Sequence, residues 1–162
     1  MRQLVLMRHA KAVPPDEADD DFERALADQG REAAPRVAKA LAEAGADPQV
    51  VLVSDAKRTR ETWELVKPAL GKVEVQFLRT LYLCPAETLM EAAEKANAER
   101  VMLVAHNPGM HELATRLAFR NNELDARVRA KFPTAAAALF ERKGPDSSWK
   151  LKAYLTPKGV DD

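Results

Sequence analysis

Short apolar runs of strand length alternate down this chain with stretches of helical spacing, and that alternation restricts the fold more than any other feature. The runs at 3–7, 50–53, 73–77 and 101–105 are too short for ordinary helices and too apolar for loops. Between them apolar residues return every three or four positions. Ala33, Val37, Ala40, Leu41 and Ala44 do so in a helix expected over 28–44, Thr59, Trp63, Val66 and Leu70 in a second, and Leu89, Met90 and Ala93 in a third over 86–97. Such repetition buries strands on both faces and favours a parallel sheet. The expected class is α/β, a three-layer sandwich with a mostly parallel central sheet flanked by helices.

Turn chemistry sets the boundaries. Gly45 stands where a left-handed cap ends the first helix, and Pro35 inside it predicts either a kink or a later start. Ser54 or Asp55 is placed to cap the second helix, and Pro68 should end or bend it. Asn107-Pro108 reads as an N-cap followed by proline at the first helical position, opening a helix with Met110, Leu113, Ala114 and Leu117 inward. A helical piece over 122–131 precedes strands at 136–141 and 149–155, joined by the turn Gly144-Pro145. The acidic stretch 13–21 reads as a loop, and no internal repeat is visible.

Length and charge narrow the function. At 162 residues one domain is expected, spanning 1–162. Lys plus Arg equals Asp plus Glu at 25 each, so net charge gives no attraction to nucleic acid or a membrane surface. The apolar run 4–7 is too short for a secretory signal, and no stretch approaches membrane-spanning length. A single cysteine, Cys84, fits a reducing compartment. The expected location is cytoplasmic. With neither paired cysteines nor HExxH spacing, no metal and no organic cofactor are expected.

In open α/β sheets ligands bind beyond the carboxyl ends of the strands. The first run delivers Arg8-His9, the second Ser54 with Arg58 one helical turn on, and the fourth His106-Asn107. Singly, each has an ordinary structural reading: a satisfied histidine, an ion-paired arginine, a capped helix. Together, at one rim, they are phosphate-handling groups. Guanidinium offers a planar fork that matches phosphoryl oxygens, and histidine can act as nucleophile, base or donor near neutral pH.

These residues fall into a known pattern. Leu6-Met7-Arg8-His9-Ala10-Lys11-Ala12 resembles the Arg-His-Gly or Arg-His-Ala signature of the histidine phosphatase superfamily, with its phosphoglycerate mutase-like fold. Arg24-Ala25-Leu26 with Gly30, Ser54-x-x-x-Arg58-x-x-x-Thr62 and Val104-Ala105-His106-Asn107-Pro108 resemble later motifs in the same order, and Phe132-Pro133-Thr134-Ala135 is a shorter late match. Small size and motif wording are similar to the SixA-like branch, the phosphohistidine phosphatases. The resemblance implies His9 as nucleophile, Arg8 and Arg58 as phosphate clamps, His106 as a second donor, and a phosphohistidine enzyme intermediate.

Some positions depart from that pattern. Ala25 and Ala27 stand where proline and threonine are common, removing a capping hydroxyl from the first helix. Mutase-like members place a carboxylic acid after the third strand, whereas 78–83 here contain none, and the nearest, Glu87, suits a helix start. The loop 16–21, with Asp16, Glu17, Asp19, Asp20 and Asp21, reads as a solvated acidic loop or as a rim repelling polyanions. His111 is assigned to helix surface or packing. The leading expectation is a phosphatase acting on phosphohistidine of a protein partner. The rivals are a phosphomonoesterase for small phosphorylated substrates and a phospho-ligand binding module without turnover. Oligomeric state is not legible.

Overall fold

The computed structural model describes residues 1–160, so the last two residues of the domain expected over 1–162 lie outside the described residues. In chain order come β1 (Gln3–Arg8), α1 (Asp28–Glu43), β2 (Val50–Ser54), α2 (Lys57–Val66), β3 (Glu74–Leu78), α3 (Ala86–Lys95), β4 (Arg100–Ala105), α4 (Gly109–Leu117), α5 (Glu123–Ala130), β5 (Ala137–Glu141) and β6 (Lys150–Leu155). Among the described residues the strands form one six-stranded sheet, ordered β3-β2-β4-β1-β5-β6. The pairs β3–β2, β2–β4 and β4–β1 are parallel, and β1–β5 and β5–β6 are antiparallel.

Alternation along each strand sends side chains to opposite layers. Val5 and Met7 of β1, with Val51, Val53, Met102 and Val104, pack under α1 and α2. Leu4 and Leu6, with Leu52, Leu103 and Ala105, pack under α3, α4 and α5. β1 and β4 lie centrally and are buried almost throughout, whereas β3 forms an edge with exposed residues. The expected three-layer, mostly parallel architecture is the one observed.

Local expectations fare less evenly. α1 runs unbroken through Pro35, which lies on its exposed face. Its N-cap Ala27 makes no side-chain cap bond, as the lost hydroxyl implied, and α2 stops at Val66 just before Pro68. Neither Ser54 nor Asp55 caps α2, because Ala56 occupies that position and the Ser54 hydroxyl is engaged with a histidine. The α4 start is also corrected. Pro108 is the N-cap and Gly109 the first helical residue, with a cis Asn107–Pro108 peptide before them. Asn107 still serves the helix through its Oδ1, which accepts from the His111 N–H at 3.2 Å.

Two glycines allow close approaches that fix the loops around the strand ends. A Cβ on Gly30 would lie 2.2 Å from the Lys11 carbonyl oxygen, so α1 packs directly against the segment leaving β1. A Cβ on Gly109 would lie 2.1 Å from the Cys84 carbonyl oxygen, pinning α4 to the connection between β3 and α3. Neither site has room for a side chain.

Candidate active site

Register brings the two histidines together. Arg8 pairs with Ala105 across β1 and β4, so the next residues, His9 and His106, leave adjacent strand tips with ring centroids 5.3 Å apart. The His9 backbone is held on both sides: its N–H donates to the Ala105 carbonyl at 3.1 Å, and its carbonyl accepts from the Ala135 N–H at 2.8 Å. Ala135 has φ 64°, a left-handed conformation costing about 1–2 kcal/mol for alanine. The tertiary bonds around it hold that conformation in place. The next amide, Ala10 N–H, donates to Thr62 Oγ1 at 3.0 Å, tying the segment to α2.

His9 is 7% exposed, and its Nδ1 lies 2.7 Å from the Ala10 carbonyl oxygen. A carbonyl can only accept, so Nδ1 carries the proton and Nε2 keeps its lone pair. Burial lowers the His9 pKa to about 3, with Arg58, Arg8 and Arg24 acting in the same direction against the Ala10 bond. The ring is therefore neutral at physiological pH. The arginines contribute to that neutrality, but desolvation is the larger influence.

His106, 2% exposed, places Nε2 2.7 Å from Ser54 Oγ, and burial first, then His9 and Arg58, lower its pKa to about 3. Arg8 donates through Nη1 to the Phe132 carbonyl at 3.2 Å, and Asn107 Nδ2 donates to the same carbonyl at 2.9 Å. Arg8, His9, Arg58 and His106 all line one cleft of about 460 Å³, together with Lys11 and Thr134. The four residues singled out in the sequence are thus brought together. Among the described residues, the buried side-chain nitrogens with no hydrogen-bond partner in the protein are Arg8 Nε, Arg58 Nε and His106 Nδ1. All three belong to residues that line this cleft.

Sequence reasoning missed Asp21 and Tyr82. Asp21 is no freely solvated member of the acidic loop. Arg58 donates to its carbonyl through Nη1 at 2.7 Å and to its Oδ2 through Nη2 at 2.9 Å, Arg24 Nη1 donates to its Oδ1 at 2.9 Å, and the Tyr82 hydroxyl donates to Oδ2. The Tyr82 bond and both guanidinium groups hold the Asp21 carboxyl well below the usual carboxylate range. Burial and the Asp21 carboxylate push the Tyr82 hydroxyl up. Tyr82 also meets the His106 ring edge-on at 5.4 Å. A signal existed in Asp20-Asp21-Phe22-Glu23: the Asp20 side chain accepts from the Glu23 N–H, capping a 3₁₀ turn that orients Asp21.

Glu87 stands outside the cleft. It is paired with Arg116 at 2.7 Å on the surface, in the first turn of α3, which is the ordinary role anticipated for it. His111 packs as assigned, with Nε2 2.9 Å from the Val128 carbonyl and its ring stacked on Phe132. Cys84 is buried, and burial pushes its thiol up, away from reactivity.

Adjacent strand-end histidines beside an arginine-lined cleft, on a sheet of this order, define a phosphoryl-handling class. The family model of the histidine phosphatase superfamily, branch 1, matches residues 4–82 of the chain, from β1 past Arg58 to Tyr82. Over 96% of its length it is similar to SixA of Agrobacterium tumefaciens, at 29% identity, TM-score 0.82 and 99% coverage of that chain. It shares its fold with a structure of the protein histidine phosphatase SixA complexed with tungstate, at 22% identity and TM-score 0.77, covering 98% and 99% of the two chains. A chloroplastic, uncharacterized protein of Arabidopsis thaliana is 28% identical over 171 residues, 96% of this chain and 78% of the relative. These likenesses support a phosphatase, a hydrolase acting on a phosphorylated substrate. No helix among the described residues is long and apolar enough to cross a membrane.

Proposed function

We propose that this phosphatase removes phosphate from phosphohistidine on a protein partner, with His9 as nucleophile, Arg8 and Arg58 as clamps and His106 as a further donor. The observation that carries the reading is the clustering of the three unpartnered buried nitrogens around a neutral histidine. Buried donors are nearly always satisfied, so three in one cleft call for an acceptor-rich ligand, and a phosphoryl group offers three oxygens. Tungstate in the SixA relative is an oxyanion of comparable shape, which fits the same reading.

The chemistry follows from the tautomer. The His9 Nε2 lone pair forms a bond to phosphorus while the bond to the leaving group breaks and its electron pair departs with that group. Water then attacks phosphorus, the N–P bond breaks with its pair returning to Nε2, and the water's proton leaves to phosphate or solvent. Fixed donors stabilise the spreading charge in both steps. With Ser54 donating into Nε2, the His106 Nδ1–H becomes such a donor. No residue of 78–83 supplies a carboxylate, Glu87 is bound to Arg116, and Asp21 is ionised with no proton to give.

An alkoxide leaving group without a proton donor forfeits roughly 10²- to 10⁴-fold in rate, whereas imidazole leaves readily once its other nitrogen is protonated. Turnover on a phosphohistidine protein and on serine phosphate, measured side by side, should differ by at least about 10²-fold. Equal rates would overturn the reading.

A further inference from the structure

The cleft holds one ionised carboxylate amid its arginines, and phosphatase chemistry alone gives no reason for it. An anion beside a dianionic substrate repels it, and a carboxyl held this far below its usual range cannot act as an acid. Nor is Asp21 there by accident of a mobile loop. The Asp20 cap fixes its turn, Arg24 and Arg58 grip it from two sides, and Tyr82, packed between Phe22 and His106, holds it from a third. A carboxylate offers about four acceptor directions. Oδ2 accepts from Arg58 and Tyr82, while Oδ1 accepts from Arg24 alone. One direction on Oδ1 is therefore open, on a side chain 41% exposed that lines the same cleft as His9.

From this geometry we infer that Asp21 is a specificity-determining residue that accepts a hydrogen bond from the distal ring N–H of a phosphorylated imidazole, selecting substrates whose leaving group carries a positive charge. The inference rests on the proposed function of the same cleft and deepens it. Phosphohistidine with its distal nitrogen protonated is cationic at the ring and anionic at the phosphoryl group. The arginines suit one end and Asp21 the other. When His9 Nε2 bonds to phosphorus, the substrate's P–N bond breaks and its electron pair returns to the proximal ring nitrogen. The departing ring keeps its distal proton and leaves as neutral imidazole. His9 now holds phosphate on Nε2 and a proton on Nδ1, bonded to the Ala10 carbonyl. The second step thus expels imidazole under the same arrangement, an N–H held by a protein oxygen, with Ala10 doing for His9 what Asp21 does for the substrate. An ester places an uncharged carbon group beside Asp21 and develops negative charge there, which the carboxylate opposes.

The test is Asp21→Asn, a near-isosteric change in an exposed loop, assayed with an N-phosphorylated imidazole and with para-nitrophenyl phosphate. Losing a charge-assisted bond should lower kcat/KM for the phosphoimidazole by about 10- to 100-fold. The aryl ester should move the other way, rising severalfold as repulsion is removed and Arg58 is released. Asp21→Glu, which keeps the charge, should restore part of the preference. Parallel losses on both substrates would mean that Asp21 merely positions Arg58. Parallel gains would mean that it merely blocks the clamp. Either result overturns the inference. Failure of the underlying reading is separately visible, because the unaltered protein would then hydrolyse serine phosphate as fast as the phosphoimidazole.

Discussion

The floor of the cleft and its rim are made by different means. The floor, His9, Ser54 and His106, lies at the ends of β1, β2 and β4, and these residues are 7%, 0% and 2% exposed. Their backbones belong to or adjoin the sheet ladder, so position follows from register. The rim is the segment between β1 and α1, folded into 3₁₀ turns at Pro15–Glu17 and Asp21–Glu23 and closed by a bridge between Ala12 and Leu26. Besides its local backbone bonds it is held by side chains: Arg24 Nε donates to the Val13 carbonyl, and Glu61 accepts from the Leu26 N–H. On the proposed reading, nucleophile and phosphate binding fall to the floor and discrimination between leaving groups to the rim. Arg58 joins the two, reaching from α2 on the floor to Asp21 on the rim.

Removing the floor's proposed nucleophile should have the largest effect. His9→Ala should lose at least about 10³-fold in turnover, and brief treatment of the unaltered protein with substrate should leave phosphate on His9. Label on another residue, or an active variant, would break the division at its strongest point. Arg58→Lys strikes the junction. An ammonium cannot make two-point contacts with both Asp21 and a phosphoryl group, so a loss of about 10²-fold is expected in kcat/KM. Ordinary kinetics there would detach Arg58 from the site.

Acidity should sharpen the comparison next, because it acts on the floor. His9 and His106 have folded-state pKa values lowered from 6.5 to about 3. Between those values the unfolded chain binds protons that the folded chain does not, so stability falls as pH drops from 6.5 toward 3. Denaturant midpoints measured across that window should decline, and replacing His106 with Gln should lessen the decline. A flat profile would contradict neutral burial. The smallest effect belongs to Glu87→Gln, expected to stay within about twofold of the unaltered rate, since Glu87 makes only a surface pair with Arg116. A substantial loss would make it the missing acid after all.

The same division separates what the sequence made legible from what it hid. Arg8, His9, Arg58 and His106 could be read because strand periodicity locates strand ends, and this class of sheet binds ligands there. Asp21 was harder to single out, because the capping signal at Asp20 marks a turn without saying where that turn aims its next residue. In sequence it is one acidic residue among Asp16, Glu17, Asp19 and Asp20, and only the rotation of one short turn aims it at Arg58. Tyr82 was passed over because the search in 78–83 was for a carboxylate, whereas the structure uses that stretch to hold a carboxylate delivered from elsewhere. Ser54 was read as a helix cap since local pattern carries no knowledge of a histidine 52 positions away. The α4 start was misplaced by one residue for a similar reason, since proline suits both the cap and the first turn.

The double anchoring of the His9 backbone bears on how the protein would behave when warmed. Its N–H and carbonyl are both engaged with neighbouring segments, and the Ala10 amide is tied to Thr62 on α2, so amide hydrogens there can exchange with solvent only when the central sheet opens. Amides at Asp19 and Asp20 lie in an exposed loop and exchange through small local openings. Heating should therefore loosen the rim before the floor. On the proposed reading, a protein built this way should lose its choice of substrate before it loses the power to hydrolyse, so that its fidelity has a lower melting point than its chemistry.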